Sequence, residues 1–333
     1  MSATPSEPQP PSHSSTSPQS DSQQAWPKIA VVGAGAVGGY FGGMLARAGA
    51  PVVMIGRAPF AAAVNANGLL LDTLHFKERV RVAASDQLEA VRGADVVLFC
   101  VKTTDNAATA RAIAPLLAPN AIVVSMQNGV DNADQLRAAA NIDAISAVVY
   151  IGAFVPEPGT VKHGGRGDLV VGPRNARTEK ISALFERAQV PCRISDNIEG
   201  ELWTKLTWNC ALNAISALGD ARYGEIAASS DAKKIVASLV TEFLAVARAA
   251  KIHLPDFENP QNAINGAYKV AETLATVYSS TAQDIQRGKR TEIDSLNGYI
   301  ARRGAELGVP TPVNQALATL VKLAESANPR SDF

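Results

Sequence analysis

Short, uninterrupted apolar runs punctuate the first half of the chain: KIAVVG, PVVMIGR, DVVLFCVK, AIVVSMQN and AISAVVYIG. Alanine-rich stretches such as NAATARAIAPLL separate them. Strands without polar alternation are buried on both faces, so this pattern predicts a mostly parallel sheet covered by helices on either side, a doubly wound α/β domain. Between Ala153 and Pro173, glycine and proline punctuation predicts turns and one antiparallel hairpin, followed by a helix from about Ala176 to Ala188. From Glu199 onward the period changes. ELWTKLTWNCALNAISAL, DAKKIVASLVTEFLAVARAA, NAINGAYKVAETLATVYSS, RTEIDSLNGYIARRGAEL and TPVNQALATLVKLAES each repeat apolar residues at helical spacing. The expected organisation is a disordered tail over residues 1–25, an α/β domain over 26–197 and an all-α domain over 198–330.

Composition narrows the function. The chain has 333 residues, enough for two cores. Its 31 basic and 31 acidic residues cancel, which leaves no global field to attract nucleic acid or an anionic membrane. Any anionic ligand must be held by local charge. Cys100, Cys192 and Cys210 are scattered without CxxC spacing, as expected of buried thiols in a reducing, cytoplasmic setting, and no metal site is expected from them. His13, His75, His163 and His253 are equally dispersed and read as surface or packing residues. The Ser, Pro and Gln of the first 25 residues have little to bury and lack the basic start and apolar core of a secretory signal. The uncharged stretch Ile29 to Ala46 is too rich in glycine for a membrane span.

The chemistry starts at Gly33-Ala34-Gly35-Ala36-Val37-Gly38, a G-x-G-x-x-G pattern directly after a strand and before a helix. The first glycine allows the tight turn, the second lets backbone approach a pyrophosphate, and the third lets helix and strand pack closely. The helix N-terminus adds free N–H groups for phosphate. A Rossmann-like domain holding a nicotinamide dinucleotide is expected. At the end of the second strand an acidic residue would bind the ribose hydroxyls of NAD, but here Gly56 precedes Arg57, a cation suited to the 2′-phosphate of NADP. The alternative for Arg57 is a solvated loop residue. Lys102 of CVKTTDN and Asn128 of SMQNGVDN follow strand ends, where ligands of open α/β sheets bind.

In ELWTKLTWNCALNAISAL, Lys205, Asn209 and Asn213 recur every four residues and form one polar stripe on an otherwise apolar helix. This is either a solvated face or one side of a site. A second polar group, Ser280, Asp284 and Glu292, lies in SSTAQDIQRGKRTEIDSLNG and taken alone is an ordinary charged helix surface.

Together GAGAVG, the VK and QNG that follow two strands, ELWTKLTWNCALN and SSTAQDIQRGKRTEIDSLNG, ending in GVPTPVN, resemble the ketopantoate reductase (2-dehydropantoate 2-reductase) family, in order from Lys28 to Glu325. The resemblance implies NADPH-dependent reduction of 2-dehydropantoate to pantoate, a step towards pantothenate and coenzyme A. It implies Lys205 as the catalytic acid, Glu292 as its partner, and Asn209, Asn213 and Ser280 as substrate-binding residues. Asn128 would lie between cofactor and substrate, and Lys102 on the cofactor side. Thr281 and Ala282 depart from the bulkier apolar residues usual in the family, which bears on the pocket wall and so on which branched 2-oxo acid is taken. A non-catalytic NADP-binding sensor is the competing class, and the joint presence of Lys205 and Glu292 argues against it. The partner is a small 2-oxo acid, and the apolar C-terminal helices would support a homodimer.

Overall fold

The computed structural model describes residues 25–327, so the expected tail over 1–25 lies outside the described residues except for its last residue. The sheet strands are β1 (Ile29–Val32), β2 (Val52–Ile55), β3 (Leu69–Asp72), β4 (Lys77–Val80), β5 (Ala83–Ser85), β6 (Val96–Phe99), β7 (Ile122–Ser125), β8 (Ile145–Phe154), β9 (Thr160–Gly172) and β10 (Cys192–Ile194). Helices α1 (Ala36–Arg47), α2 (Ala58–Asn67), α3 (Asn106–Ile113), α4 (Asn132–Ala140) and α5 (Ala176–Arg187) accompany them. All regular elements thereafter are helical among the described residues: α6 (Ile198–Gly219), α7 (Tyr223–Ala228), α8 (Ser230–Ala249), α9 (Pro260–Thr273), α10 (Ser280–Gln286), α11 (Asn297–Leu307) and α12 (Pro312–Ala327), with short 3₁₀ turns between some of them.

The strands run in the order β4-β3-β9-β8-β7-β6-β1-β2-β5, with β10 beside β9. Neighbours from β8 through β7, β6, β1 and β2 to β5 are parallel, while β8 with β9 and β3 with β4 are antiparallel. Alternate residues of one strand enter different cores. Ile29 and Val31 join the core under α1 and α5, and Ala30 and Val32 join the one under α3 and α4. That two-sided burial is why these strands carry no polar alternation. A third core is purely helical, with Trp203, Leu206, Phe243 and Ile300 from α6, α8 and α11.

One expectation of the sequence reading is met in extended form and another is not. The antiparallel hairpin expected between Ala153 and Pro173 is formed by β8 and β9, which extend it on both sides of the turn with register shifts between Tyr150 and Ile151 and between Gly152 and Ala153. Its glycines are absorbed as strand irregularities. RTEIDSLNGYIARRGAEL, by contrast, is not one helix. Residues Ile293–Ser295 form a 3₁₀ turn, and α11 begins only at Asn297. The Thr291 hydroxyl accepts the Ile293 N–H and donates to Glu325 of α12, so side chains hold this stretch out of helical register.

Candidate active site

The chain turns from β1 to β2 on one side and later to β6 on the other, so a crevice opens at the carboxyl ends of β1 and β6. The glycine turn fills its floor. Gly33 has φ +98°, and a Cβ there would lie 2.6 Å from the nitrogen of Val101, two residues past the end of β6. Gly33 and Ala34 donate their N–H groups to the Ile55 carbonyl at 2.9 and 3.0 Å, which ties the turn to the end of β2. A Cβ on Gly38 would come within 2.4 Å of the Gly33 carbonyl oxygen, so the third glycine is required by packing. Gly35 differs, since a Cβ there would meet nothing within 4 Å. The first turn of α1, from Ala36 and Val37 to Gly38, has no side-chain cap and no acidic residue. Open space at Gly35 and uncapped N–H groups beside it fit a pyrophosphate. Arg57 is exposed at the N-cap of α2, at the end of β2, and its charge is felt at Lys289 from the loop after α10.

The side-chain cluster lies over the ends of β6, β7 and β8. Lys205 Nζ, from α6, donates to Asn128 Oδ1 at 2.9 Å and to the Val149 carbonyl at 2.6 Å. Asn128 Nδ2 donates at 3.4 Å to Glu292 Oε2, and Glu292 Oε1 accepts the Thr103 N–H at 2.9 Å. Burial pushes the Lys205 pKa down to about 8, while the Glu292 carboxylate favours its charged form and Arg166 opposes it. An ammonium in this state can give up a proton near neutral pH.

The remaining expected residues divide. Asn213 is buried, its Oδ1 accepting from the Tyr223 hydroxyl at 2.8 Å and its Nδ2 reaching Ser280 Oγ at 3.5 Å. Burial pushes the Tyr223 phenol up, so it remains a donor. Asn209, between Lys205 and Asn213, is half-buried, and its side chain has no hydrogen-bond partner among the described residues. Lys102 reaches across to the helical half, donating to the Arg290 carbonyl at 2.6 Å and pairing with Asp284 at 2.8 Å. Sequence reasoning missed Tyr223, the Val149 carbonyl and the Thr103 N–H. A main-chain group has no sequence signal, and Tyr223 stands in no pattern. Among the described residues no group of histidines, cysteines and acids is placed to hold a metal, and burial pushes the three thiols up and away from thiolate. His163 is buried and stacked on Tyr40, whereas His75 and His253 are exposed. No helix among the described residues is long and apolar enough to cross a membrane.

A Rossmann-like sheet with a half-buried lysine brought over its carboxyl ends is the architecture of a dinucleotide-dependent oxidoreductase. The family profile of ketopantoate reductase PanE/ApbA matches residues 29–176, and that of its C-terminal region matches residues 197–325. The chain belongs to this family and is an oxidoreductase of it. It is 31% identical over 305 residues to a 2-dehydropantoate 2-reductase of Pyrococcus horikoshii, covering 90% of this chain and 98% of the relative. A crystal structure of a PanE/ApbA family ketopantoate reductase from Ralstonia eutropha superposes with TM-score 0.86 at 46% identity, over 90% of this chain and 99% of that one. A D-mandelate dehydrogenase solved with NADH and anilino(oxo)acetate superposes with TM-score 0.84 at 26% identity, over 91% of this chain and all of that one.

Proposed function

We propose that the chain reduces 2-dehydropantoate to pantoate with NADPH, with residues 26–197 as the cofactor domain and 198–330 as the substrate domain. The observation that carries this reading is the convergence of Lys205, Asn128 and Glu292 at the strand ends beside the glycine turn. When bound, the nicotinamide supplies a hydride to the carbonyl carbon. Lys205 donates a hydrogen bond to the keto oxygen and gives it the proton, so the new C–H and O–H bonds form as the C=O π bond breaks. Positive charge beside a developing alkoxide stabilises the transition state more than it does the neutral ketone. Asn128 orients the ammonium, and Glu292 keeps it charged and receives the substrate hydroxyl. The Asn209 side chain, with no hydrogen-bond partner among the described residues, binds substrate, and Asn213 and Ser280 complete the polar wall. Gly33 to Gly38 cradle the pyrophosphate, Arg57 meets the 2′-phosphate, and Lys102 leaves Asp284 to line the cofactor.

Similarity to a mandelate dehydrogenase favours a second reading in which the same machinery reduces a different 2-oxo acid, including an aryl one. The test is steady-state oxidation of NADPH and of NADH by the purified protein with 2-dehydropantoate, 2-oxoisovalerate and phenylglyoxylate. Rapid turnover of 2-dehydropantoate with NADPH alone is the expected result. Preference for phenylglyoxylate moves the substrate to the second reading, and no turnover with any acid despite NADPH binding overturns both.

A further inference from the structure

Between the ends of β6 and β7 lies a buried set of polar side chains that the proposed reaction does not use. Asn106, Ser125, Gln127 and Asn132 are at most 6% exposed. Gln127 Nε2 donates to the Val101 carbonyl at 2.7 Å and also to Asn106 Oδ1, while Gln127 Oε1 accepts from Ser125 Oγ at 3.0 Å. Asn106 Nδ2 donates to Asn132 Oδ1 and to Gln135 Oε1, both at 2.9 Å. Asn132 Nδ2 closes the chain on the main-chain carbonyl of Asn128 at 2.7 Å. The three central amides use both their donor and acceptor ends, so flipping any one would leave a buried polar group unsatisfied.

The two ends of this network are informative. One is Val101, two residues before the Thr103 N–H that holds Glu292 Oε1 at 2.9 Å. The other is Asn128, whose side chain accepts from Lys205 at 2.9 Å. The Thr103 hydroxyl also accepts from Ser295 Oγ at 2.9 Å, on the 3₁₀ turn that follows Glu292. The network therefore clamps together the two strand-end segments that between them hold both members of the lysine–glutamate pair.

We propose that this amide network is a positioning device for proton transfer: Asn132 sets the Asn128 main chain so that its side-chain oxygen meets Lys205, and Gln127 locks that segment to the one that holds Glu292. The inference rests on the reading of Lys205 as the proton donor. Asn132 acts on the reaction without touching substrate or cofactor, and a purely structural role would lower stability without altering Lys205.

The test is Asn132→Asp, which keeps the size and the acceptor for Asn106 but removes the donor to Asn128. It is assayed with NADPH and whichever 2-oxo acid the wild-type protein reduces fastest. Misplacing a reacting group slightly is enough to lower kcat by about tenfold or more. NADPH affinity should stay within about twofold, because no phosphate contact is changed. The alkaline limb of the kcat–pH profile is read in Asn132→Ser, which adds no charge, and should move up as the enclosure of Lys205 loosens, its charged neighbours being Glu292 and Arg166, with the Tyr150 ring beside it. If Asn132→Asp does not fold, the other measurements are also made on Asn132→Ser, which retains a short hydroxyl donor and should show the same changes in smaller measure. A lowered Tm with kcat and alkaline limb both at wild-type values overturns the proposal. Lys205→Ala is assayed in parallel. Wild-type turnover in that variant overturns the reading of Lys205 itself, whereas its loss alongside an unaffected Asn132→Asp overturns only the role of the network.

Discussion

The glycine turn and the Lys205 cluster lie at the same edge of the sheet but are built in opposite ways. The turn consists of consecutive residues and offers main-chain groups, and its geometry depends on which Cβ atoms are missing. The cluster is built mainly of side chains, with Asn128 and Glu292 separated by 164 positions, and it exists only because helices pack over the strand ends. A local backbone site is encoded within a few residues. A site of remote side chains inherits every error in the packing that assembles it.

The largest expected effect comes from removing the centre of the cluster. Lys205→Ala should lower turnover by about 10²- to 10⁴-fold, the range for a lost general acid, and kcat measured at saturating substrate checks this. The proposed reaction needs the protonated lysine, so kcat of the wild type should fall as pH rises through about 8 and hold below it. A flat profile from pH 7 to 9 argues that another group delivers the proton.

The turn is tested by two neighbouring glycines. Gly38→Ala places a Cβ 2.4 Å from the Gly33 carbonyl oxygen and 2.8 Å from Val31 Cγ1, so the main chain must shift. Overpacking of this kind costs about 1–3 kcal/mol, readable as a lower Tm or denaturation midpoint. Gly35→Ala meets no protein atom, so stability should stay within about 0.5 kcal/mol while NADPH affinity drops. Unchanged affinity in that variant would show that the pyrophosphate does not approach Gly35.

Arg57→Asp sharpens the comparison at the cofactor's far end. Replacing a charge-assisted contact worth about 1.5–3 kcal/mol should shift the NADPH:NADH preference in kcat/KM by roughly 10- to 100-fold towards NADH. An unchanged ratio assigns phosphate recognition to another cation, with Lys289 the first to examine.

The smallest effect belongs to the edge of the cluster. Tyr223→Phe removes the donor at 2.8 Å from Asn213 Oδ1, a bond worth about 1 kcal/mol, and should raise the substrate KM a few-fold with kcat nearly unchanged. A large fall in kcat would instead place Tyr223 among the groups that act on the reacting carbonyl.

How much of this was legible in the sequence follows the same division. The strands β1, β2, β6 and β7, the G-x-G-x-x-G turn and the polar stripe of Lys205, Asn209 and Asn213 are all local patterns of apolar period, glycine spacing or helical repeat. The β8–β9 hairpin was legible from its glycine and proline punctuation, whereas the β3–β4 pair was obscured by its exposed, charged second strand KERV. Helical period alone carried the expected last helices through Glu292, where Thr291 and the 3₁₀ turn in fact hold the chain open.

The sequence by itself determined the doubly wound class, the change to helices after residue 197 and the residue types available for chemistry, because each depends on neighbours within about one helical turn or strand. Only the tertiary structure decided which of them meet. Lys205 turns to the Val149 carbonyl and Asn128, Lys102 crosses to Asp284, and Asn213 finds Tyr223. Such contacts are chosen by the requirement that buried polar groups be paired with whatever the packing brings near, and that requirement acts through space rather than along the chain.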